Sequence, residues 1–126
     1  PDRVIRPAYV TDVTAQMENG YELVTDPTYR EWFDGNIVYI NVMKNMSVDC
    51  DCCAVAEDPC MKDIGILAST DPIAIDQACI DLVYASEDPG RDHLLERIES
   101  RNGVHTIEAA AALGYGTREY ELITVE

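Results

Sequence analysis

The sequence predicts an α/β domain in which a mixed or parallel sheet is flanked by helices. Two short runs rich in β-branched residues and three helical segments after the first run carry this prediction. Strands that alternate with helices pack as helical layers on a sheet. Because 126 residues suit one domain with its own core, we expect residues 1–126 to form a single α/β domain.

Three segments are predicted to be strands. Ile37–Met43 follows the turn dipeptide Asp34-Gly35 and, like Ile64–Ser69, is apolar enough to predict burial on both faces. Tyr120–Val125 is expected to be a strand at the end of the chain. Residues 44–63 show neither a helical nor a strand period, and loops of that length in compact domains are usually functional or disordered.

Three helices are predicted after residue 70. The dipeptide Asp71-Pro72 places a capping residue before a proline at the first helical position, and this helix is expected to reach Ala85. Asp88-Pro89 is expected to begin the next helix in the same way. The last is predicted from Val104 to Leu113, with Gly114 ending it as the C′ residue.

The N-terminal 35 residues carry weaker signals. Apolar residues recur at three- and four-residue steps from Val10 to Val24, which predicts an amphipathic helix, although Asn19-Gly20 in that span also fits a turn. The chain begins with Pro1, and no basic segment precedes an apolar one as in a secretory signal. We therefore expect this sequence to be one part of a longer protein.

The charge balance argues against two classes of partner. Twenty-four acidic and nine basic residues give a net charge of −15, which repels phosphate backbones and anionic membrane surfaces. Neither a glycine-rich phosphate loop nor an apolar run of about 20 residues is present, so we expect no nucleotide, nucleic-acid or membrane partner. A solvated acidic surface is the favoured interpretation, and a basic protein partner is the alternative.

Four of the five cysteines fall within eleven residues, at Cys50, Cys52, Cys53 and Cys60. Secreted proteins spread their cysteines to link distant segments, so this crowding favours a reducing cytoplasm. Converging thiolates bind iron–sulfur clusters and single iron or zinc ions, although this spacing matches neither bacterial ferredoxins nor zinc ribbons. Metal binding is the leading hypothesis, while reduced structural thiols and a redox disulfide or nucleophile remain alternatives.

The first predicted helix carries two unusual side chains on its apolar side. Cys79 lies among aliphatic residues and is expected to be a core residue. Asp76 falls in the same apolar arc, where a carboxylate needs a partner. It either anchors backbone amides of a neighbouring loop or acts as a ligand or catalytic group. Gln77 and Asp81 are predicted on the opposite, polar side.

Three further polar residues lie near helix ends. Asp71 follows Ser69-Thr70 at a strand-to-helix turn, where capping is the favoured role and anion binding the alternative. His93 is expected on a solvated face. His105 comes directly after Gly103 and is either structural or a ligand or acid/base group.

Several of these runs together resemble a prokaryotic domain of unknown function, family 362. The resemblance rests on Ile40–Val42, Cys50–Cys52, Asp63–Val83, and an ending with His105 and Ala111–Ile123, and it covers about residues 33–125. Members of that family often carry a ferredoxin-type 4Fe–4S module and are described as iron–sulfur centre proteins. The resemblance therefore implies a redox setting and the C-terminal part of a longer ferredoxin-linked protein.

The resemblance also implies which residues belong to the site. Cys50 and Cys52 match the family, and Asp71, Asp76 and His105 are further candidates for metal ligands. Cys53 and Cys60 are additions to the family pattern, and the ferredoxin spacing itself is absent from this chain.

Three functions are compatible with these observations. The leading one is a metal- or iron–sulfur-associated domain of a cytoplasmic redox protein, with a ferredoxin-type module in the same chain or a redox partner protein. The second is a scaffold that docks a ferredoxin module and has no chemistry of its own. The third is an enzyme domain in which Asp76 or His105 is the general acid or base and a thiolate is the nucleophile.

Overall fold

The computed structural model describes residues 36–49 and 53–125. The chain divides into two compact units, Pro1–Val38 and Tyr39–Glu126. The helix expected between Val10 and Val24 lies outside the described residues. In the second unit the elements are β1 (Tyr39–Met43), β2 (Gly65–Ser69), α1 (Pro72–Ala85), α2 (Arg91–Ser100) and α3 (Val104–Ala112). The predicted α/β class with flanking helices is confirmed.

The two described strands form an antiparallel pair. Tyr39 lies opposite Ser69 and Met43 lies opposite Gly65. Of the mixed or parallel sheet that the sequence predicted, the described residues form this one antiparallel pair. A parallel pair needs a crossover, usually a helix, whereas the described residues of the connection, 44–49 and 53–64, contain no helix, and the chain returns antiparallel.

Only one face of this sheet is covered within the described part of the chain. Asn41 of β1 contacts α1, whereas the side chains of Ile40, Val42 and Ile66 project from the other face and are 62%, 60% and 71% exposed. The predicted burial of both strands on both faces is therefore wrong for these residues. Residues alternate between the two faces of a strand, so a helix on one side buries every second position.

The cap predicted for α1 is present. The Asp71 carboxylate accepts hydrogen bonds from the amides of Ile73 (2.8 Å) and Ala74 (3.0 Å), and Pro72 occupies the first turn. Ile73, in this same turn, is completely buried. At the other end of α1, the Arg91 guanidinium donates to the carbonyls of the last turn and of the residue after it. The helix is thus held at both ends by side chains.

The second helix begins later than expected. Asp88-Pro89 forms a turn, Gly90 caps the helix, and α2 starts at Arg91. The Asp88 carboxylate accepts from the Gly90 amide at 2.8 Å and from the Lys62 amide at 3.3 Å. The Gly90 bond is the largest contribution to a lowered pKa for this carboxyl, so its stabilising effect is lost only as pH falls through that lowered value.

The end of α3 agrees with the sequence prediction. Gly114 has a positive φ of 81°, its amide donates to the Ala111 carbonyl, and the Tyr115 amide donates to the Ala110 carbonyl. This pair of bonds is the Schellman arrangement, which favours glycine because a left-handed backbone strains other residues.

The last predicted strand does not form in the described residues. The segment 116–120, here named the C-terminal strap, instead bonds to α1 through three contacts: the Thr117 amide to Asp71 (2.9 Å), Arg118 to Gln77 (2.7 Å), and the Tyr120 hydroxyl to Asp81 (2.8 Å). Because its polar groups are directed to side chains of α1, the strap lies along a helix and not along a strand edge.

The core joins the sheet, the helices and the long loop. The buried members of its main cluster are Met43, Val48, Met61, Val83 and Leu94. Two of them, Val48 and Met61, come from the 44–64 connection, so this loop is packed into the fold at two points. Among the described residues no helix combines the length and the apolarity needed to cross a membrane.

We expect Asp71→Ala to lower the free energy of unfolding by about 1–2 kcal/mol, because the cap of α1 is lost. The strap contact to Thr117 is lost with it. Asp71→Asn is the matched control, because asparagine also caps helices well. Urea denaturation followed by circular dichroism measures both variants. A smaller loss for Asn than for Ala supports the assignment, and an unchanged Ala variant contradicts it.

Candidate functional site

The loop that carries the clustered cysteines, residues 44–64, is closed at its base. Its two sides are joined where the Cys60 amide donates to the Met46 carbonyl (3.0 Å) and the Ser47 hydroxyl donates to the Glu57 carbonyl (2.8 Å). The Glu57 amide also donates to the Asp49 carboxylate at 3.0 Å. We call these paired segments, 46–49 and 57–60, the stem, and residues 50–56 the segment that the stem closes.

The loop is also tied to the sheet. The Ile64 amide donates to the Met43 carbonyl at 2.9 Å, and the Asn45 amide donates to the Asp63 carboxylate at 2.9 Å. Asn45 itself has a positive φ of 52°, a conformation that asparagine tolerates better than most residues. The predicted lack of helix or strand is confirmed for the described part of the loop, which is nevertheless hydrogen-bonded along its base.

Helix α2 adds one ion pair and one imidazole–carboxylate contact to the stem. The Arg97 guanidinium lies 3.4 Å from the Asp49 carboxylate, and the His93 imidazole lies 3.7 Å from the Glu57 carboxylate. His93 and Arg97 are four residues apart and therefore share one side of the helix. His93 was expected to be solvated, and it is half exposed beside the stem.

The loop cysteines have different surroundings. Cys53 is exposed, and nearby Val55 is 91% exposed, so the described part of the segment projects into solvent. Cys60 is half buried in the stem, packs against the core, and donates its thiol to the Met46 carbonyl at 3.4 Å. Cys50 and Cys52 follow Asp49 in the sequence and lie outside the described residues.

No metal ligand set is complete within residues 36–49 and 53–125. No group of three or more His, Cys, Asp or Glu side chains there converges in a way that could hold an ion. The thiols of Cys53 and Cys60 suit soft metals chemically, but Cys60 is engaged with a carbonyl oxygen. The four-thiolate site therefore stays a prediction that depends on Cys50 and Cys52.

A second polar cluster lies between β1 and α1. The Asn41 amide nitrogen donates to Asp76 at 2.7 Å and to the Cys79 sulfur at 3.4 Å. A carboxylate on the apolar side of α1 needs a hydrogen-bonding partner, and the Asn41 amide is that partner for Asp76. Cys79 packs against the core as predicted, and burial, with a smaller contribution from Asp76, raises the pKa of its thiol despite the bond from Asn41.

Asp71 is engaged by backbone amides on both carboxylate oxygens. One oxygen caps α1, and the other accepts from the Thr117 amide. Gly116 approaches so closely that a Cβ there would lie 2.2 Å from the Asp71 carboxylate. The favoured prediction of capping is confirmed, and Asp71 also anchors the C-terminal strap.

His105 lies on an exposed surface of α3. Its imidazole is 66% exposed and 3.8 Å from the Glu108 carboxylate in the same helix. Asp76, in contrast, faces β1 through Asn41. The two residues proposed as acid/base groups thus contact different parts of the fold.

Sequence reasoning missed a polar network beneath the strap. Gln77, predicted on the polar side of α1, is only 8% exposed because Arg118 covers it. Arg118 also contacts Glu108, and Gln77 donates to Asp81 at 2.8 Å. The bond from Tyr120 to Asp81 raises the pKa of the tyrosine hydroxyl. Gln77 and Arg118 are 41 positions apart, so no local pattern indicates their contact.

A comparison with family models matches residues 9–81, more than half of the chain. The chain belongs to the family described as a domain of unknown function, DUF362. The match begins earlier than the resemblance, which started near residue 33, and ends within α1. The ending Ala111–Ile123 lies beyond it. Comparisons with curated proteins and with solved structures give no significant match.

The DUF362 segment contains the whole cysteine loop. It includes β1, β2, all four loop cysteines, Asp71 and Asp76, whereas His105 and the strap lie outside it. The described stem and the Asn41–Asp76–Cys79 cluster are therefore both features of the DUF362 segment.

We expect Cys53 to react with iodoacetamide at least tenfold faster than Cys79 near pH 8. Cys53 is exposed, whereas burial keeps the Cys79 thiol protonated to a higher pH, and the thiolate is the reactive form. Mass spectrometry of digested protein separates the two sites. In urea the difference should disappear, and equal rates in the native protein would contradict the described surroundings.

Proposed function

We propose that this protein is a metal- or iron–sulfur-associated redox domain of the cytoplasm and that its cysteine loop holds the metal. The observation that carries the proposal is the closed stem. Hydrogen bonds from Glu57 to Asp49 and from Cys60 to Met46 bring the two ends of a short, cysteine-rich segment together. A loop closed in this way has already lost much of the conformational entropy that gathering thiolates around an ion costs.

The proposed ligands are Cys50, Cys52 and Cys53, with Cys60 as the fourth from the stem. For Cys60 to contribute, its thiol must turn away from the Met46 carbonyl and lose its proton. The family resemblance adds Asp71, Asp76 and His105 as further candidates, and in Asp71 backbone amides occupy both oxygens.

Thiolate ligands fit an iron–sulfur cluster or a single iron or zinc ion. A bound cluster would supply one-electron transfer, with a ferredoxin-type module or another redox protein as the electron partner. The protein's own contribution would be a stem that keeps the thiols close together at the surface, where Cys53 is exposed.

We expect protein purified without oxygen to contain iron or zinc at a fixed stoichiometry and the Cys50→Ala/Cys52→Ala double variant to lose it. Elemental analysis and an ultraviolet–visible spectrum measure both. Cys79→Ala is the matched control, because it removes a thiol outside the loop and should retain the metal. Broad visible absorption together with iron indicates a cluster, and colourless protein with zinc indicates a single-ion site. Absence of metal from the unmodified protein contradicts the proposal.

A docking function is the second candidate, and the exposed sheet face supports it. Ile40, Val42 and Ile66 form a contiguous apolar surface on adjacent strands. Contiguous exposed apolar patches are typical of surfaces that bind another protein or domain. On this hypothesis the occupant is a ferredoxin-type module, and the cysteines have no role.

We expect Ile66→Glu to weaken binding of a bacterial-type ferredoxin by at least tenfold if the sheet face is the docking surface. A buried charge without a partner is costly at an apolar interface. Val125→Glu is the control, since Val125 is 89% exposed and lies outside the sheet. Isothermal titration calorimetry measures both variants. Equal weakening by the two substitutions, or no binding by the unmodified protein, contradicts this second function.

A further inference from the structure

The contact between Arg97 and Asp49 joins α2 to the residue directly before Cys50. We propose that Arg97 is a positioning residue for the stem, because its guanidinium holds the Asp49 carboxylate where it accepts from the Glu57 amide. The inference concerns the regulation of the loop to which the proposed function assigns the metal. The contact between Arg97 and Asp49 would keep the stem closed whatever the loop binds.

Asp49 links both sides of the stem. One carboxylate oxygen accepts from the Glu57 amide at 3.0 Å, and the other lies 3.4 Å from the Arg97 guanidinium. The Asp49 amide donates to the Ser47 hydroxyl at 3.1 Å, and that hydroxyl donates in turn to the Glu57 carbonyl. A rotation of the Asp49 side chain would therefore remove a bond across the stem. The guanidinium opposes that rotation.

The loop needs a positive charge from outside itself. Between Lys44 and Lys62 the sequence contains four acidic residues and no lysine or arginine. Carboxylates this close repel one another, and any cysteine thiolate would add to the negative charge. In the described part of the chain, Arg97 is the guanidinium that contacts the stem. The Asp49 side chain is 19% exposed and the Arg97 side chain is 41% exposed, so solvent screens this pair in part.

Arg97 is held in place by contacts that do not involve the loop acids. Leu94 is buried in the core, and Leu95 and Ile98 pack against the same cluster. Arg91 ties the start of α2 to the end of α1. The helix therefore presents Arg97 from a fixed position, as a positioning residue requires.

The test uses Arg97→Gln, with Arg101→Gln as the matched control and Arg97→Lys as the conservative variant. Arg101 follows the same helix, and its substitution removes the same charge. Amide hydrogen exchange of Glu57, measured by NMR, reports whether the stem is closed. We expect about fivefold faster exchange in Arg97→Gln, no change in Arg101→Gln, and a partial return in Arg97→Lys. Added salt should accelerate this exchange more in the unmodified protein than in Arg97→Gln.

Two further measurements separate the outcomes. Amides of α1 serve as the internal reference, and faster exchange there as well would mean general destabilisation and would overturn the proposal. Unchanged Glu57 exchange in Arg97→Gln would also overturn it. Metal content is measured on the same samples. Metal-free protein whose Glu57 exchange still depends on Arg97 rejects the proposed function alone, whereas metal-loaded protein with unchanged exchange rejects the role of Arg97 alone.

Discussion

The described fold depends on one carboxylate, that of Asp71, which connects three parts of the chain. Asp71 lies at the end of the turn after β2. Its carboxylate caps the first turn of α1 and accepts from the Thr117 amide of the C-terminal strap. Each bond satisfies a backbone donor that would otherwise lose its solvent partner on folding. Since α1 covers the inner face of the sheet and supplies Val83 to the core, its placement also determines where the Asn41–Asp76–Cys79 cluster forms.

The same kind of bond, from a backbone amide to an aspartate carboxylate, recurs in the loop and in the turn before α2. It gives several of the acidic residues a structural role. Asp49, Asp63 and Asp88 each accept at least one backbone amide, in the stem, at the loop entrance and in the turn before α2. From composition alone, this negative charge is predicted to form a solvated surface. These three carboxylates instead accept from backbone amides that have no partner in a helix or a strand. Such bonds keep the long connection ordered along its base.

The cysteine loop and the uncovered sheet face represent two different uses of one small domain. The stem closes a short segment that is rich in thiols, whereas Ile40 and Ile66 offer an apolar surface on the sheet. Family membership accommodates both, because the DUF362 segment contains the strands as well as the loop. The distinction between them is chemical, since the first function requires the thiols and the second requires only the surface.

The sequence by itself determined the features that arise within a few residues: the Asp71-Pro72 start of α1, the Gly114 end of α3, the lack of helix or strand in the described loop, and the core position of Cys79. Capping bonds span two to five residues, so their residue types appear together in the chain. The antiparallel pairing, the single covered face of β1, the burial of Gln77 and the contact of Arg97 with Asp49 were decided only by the tertiary structure. Those contacts join residues tens of positions apart, where packing against a partner and not local preference selects the arrangement.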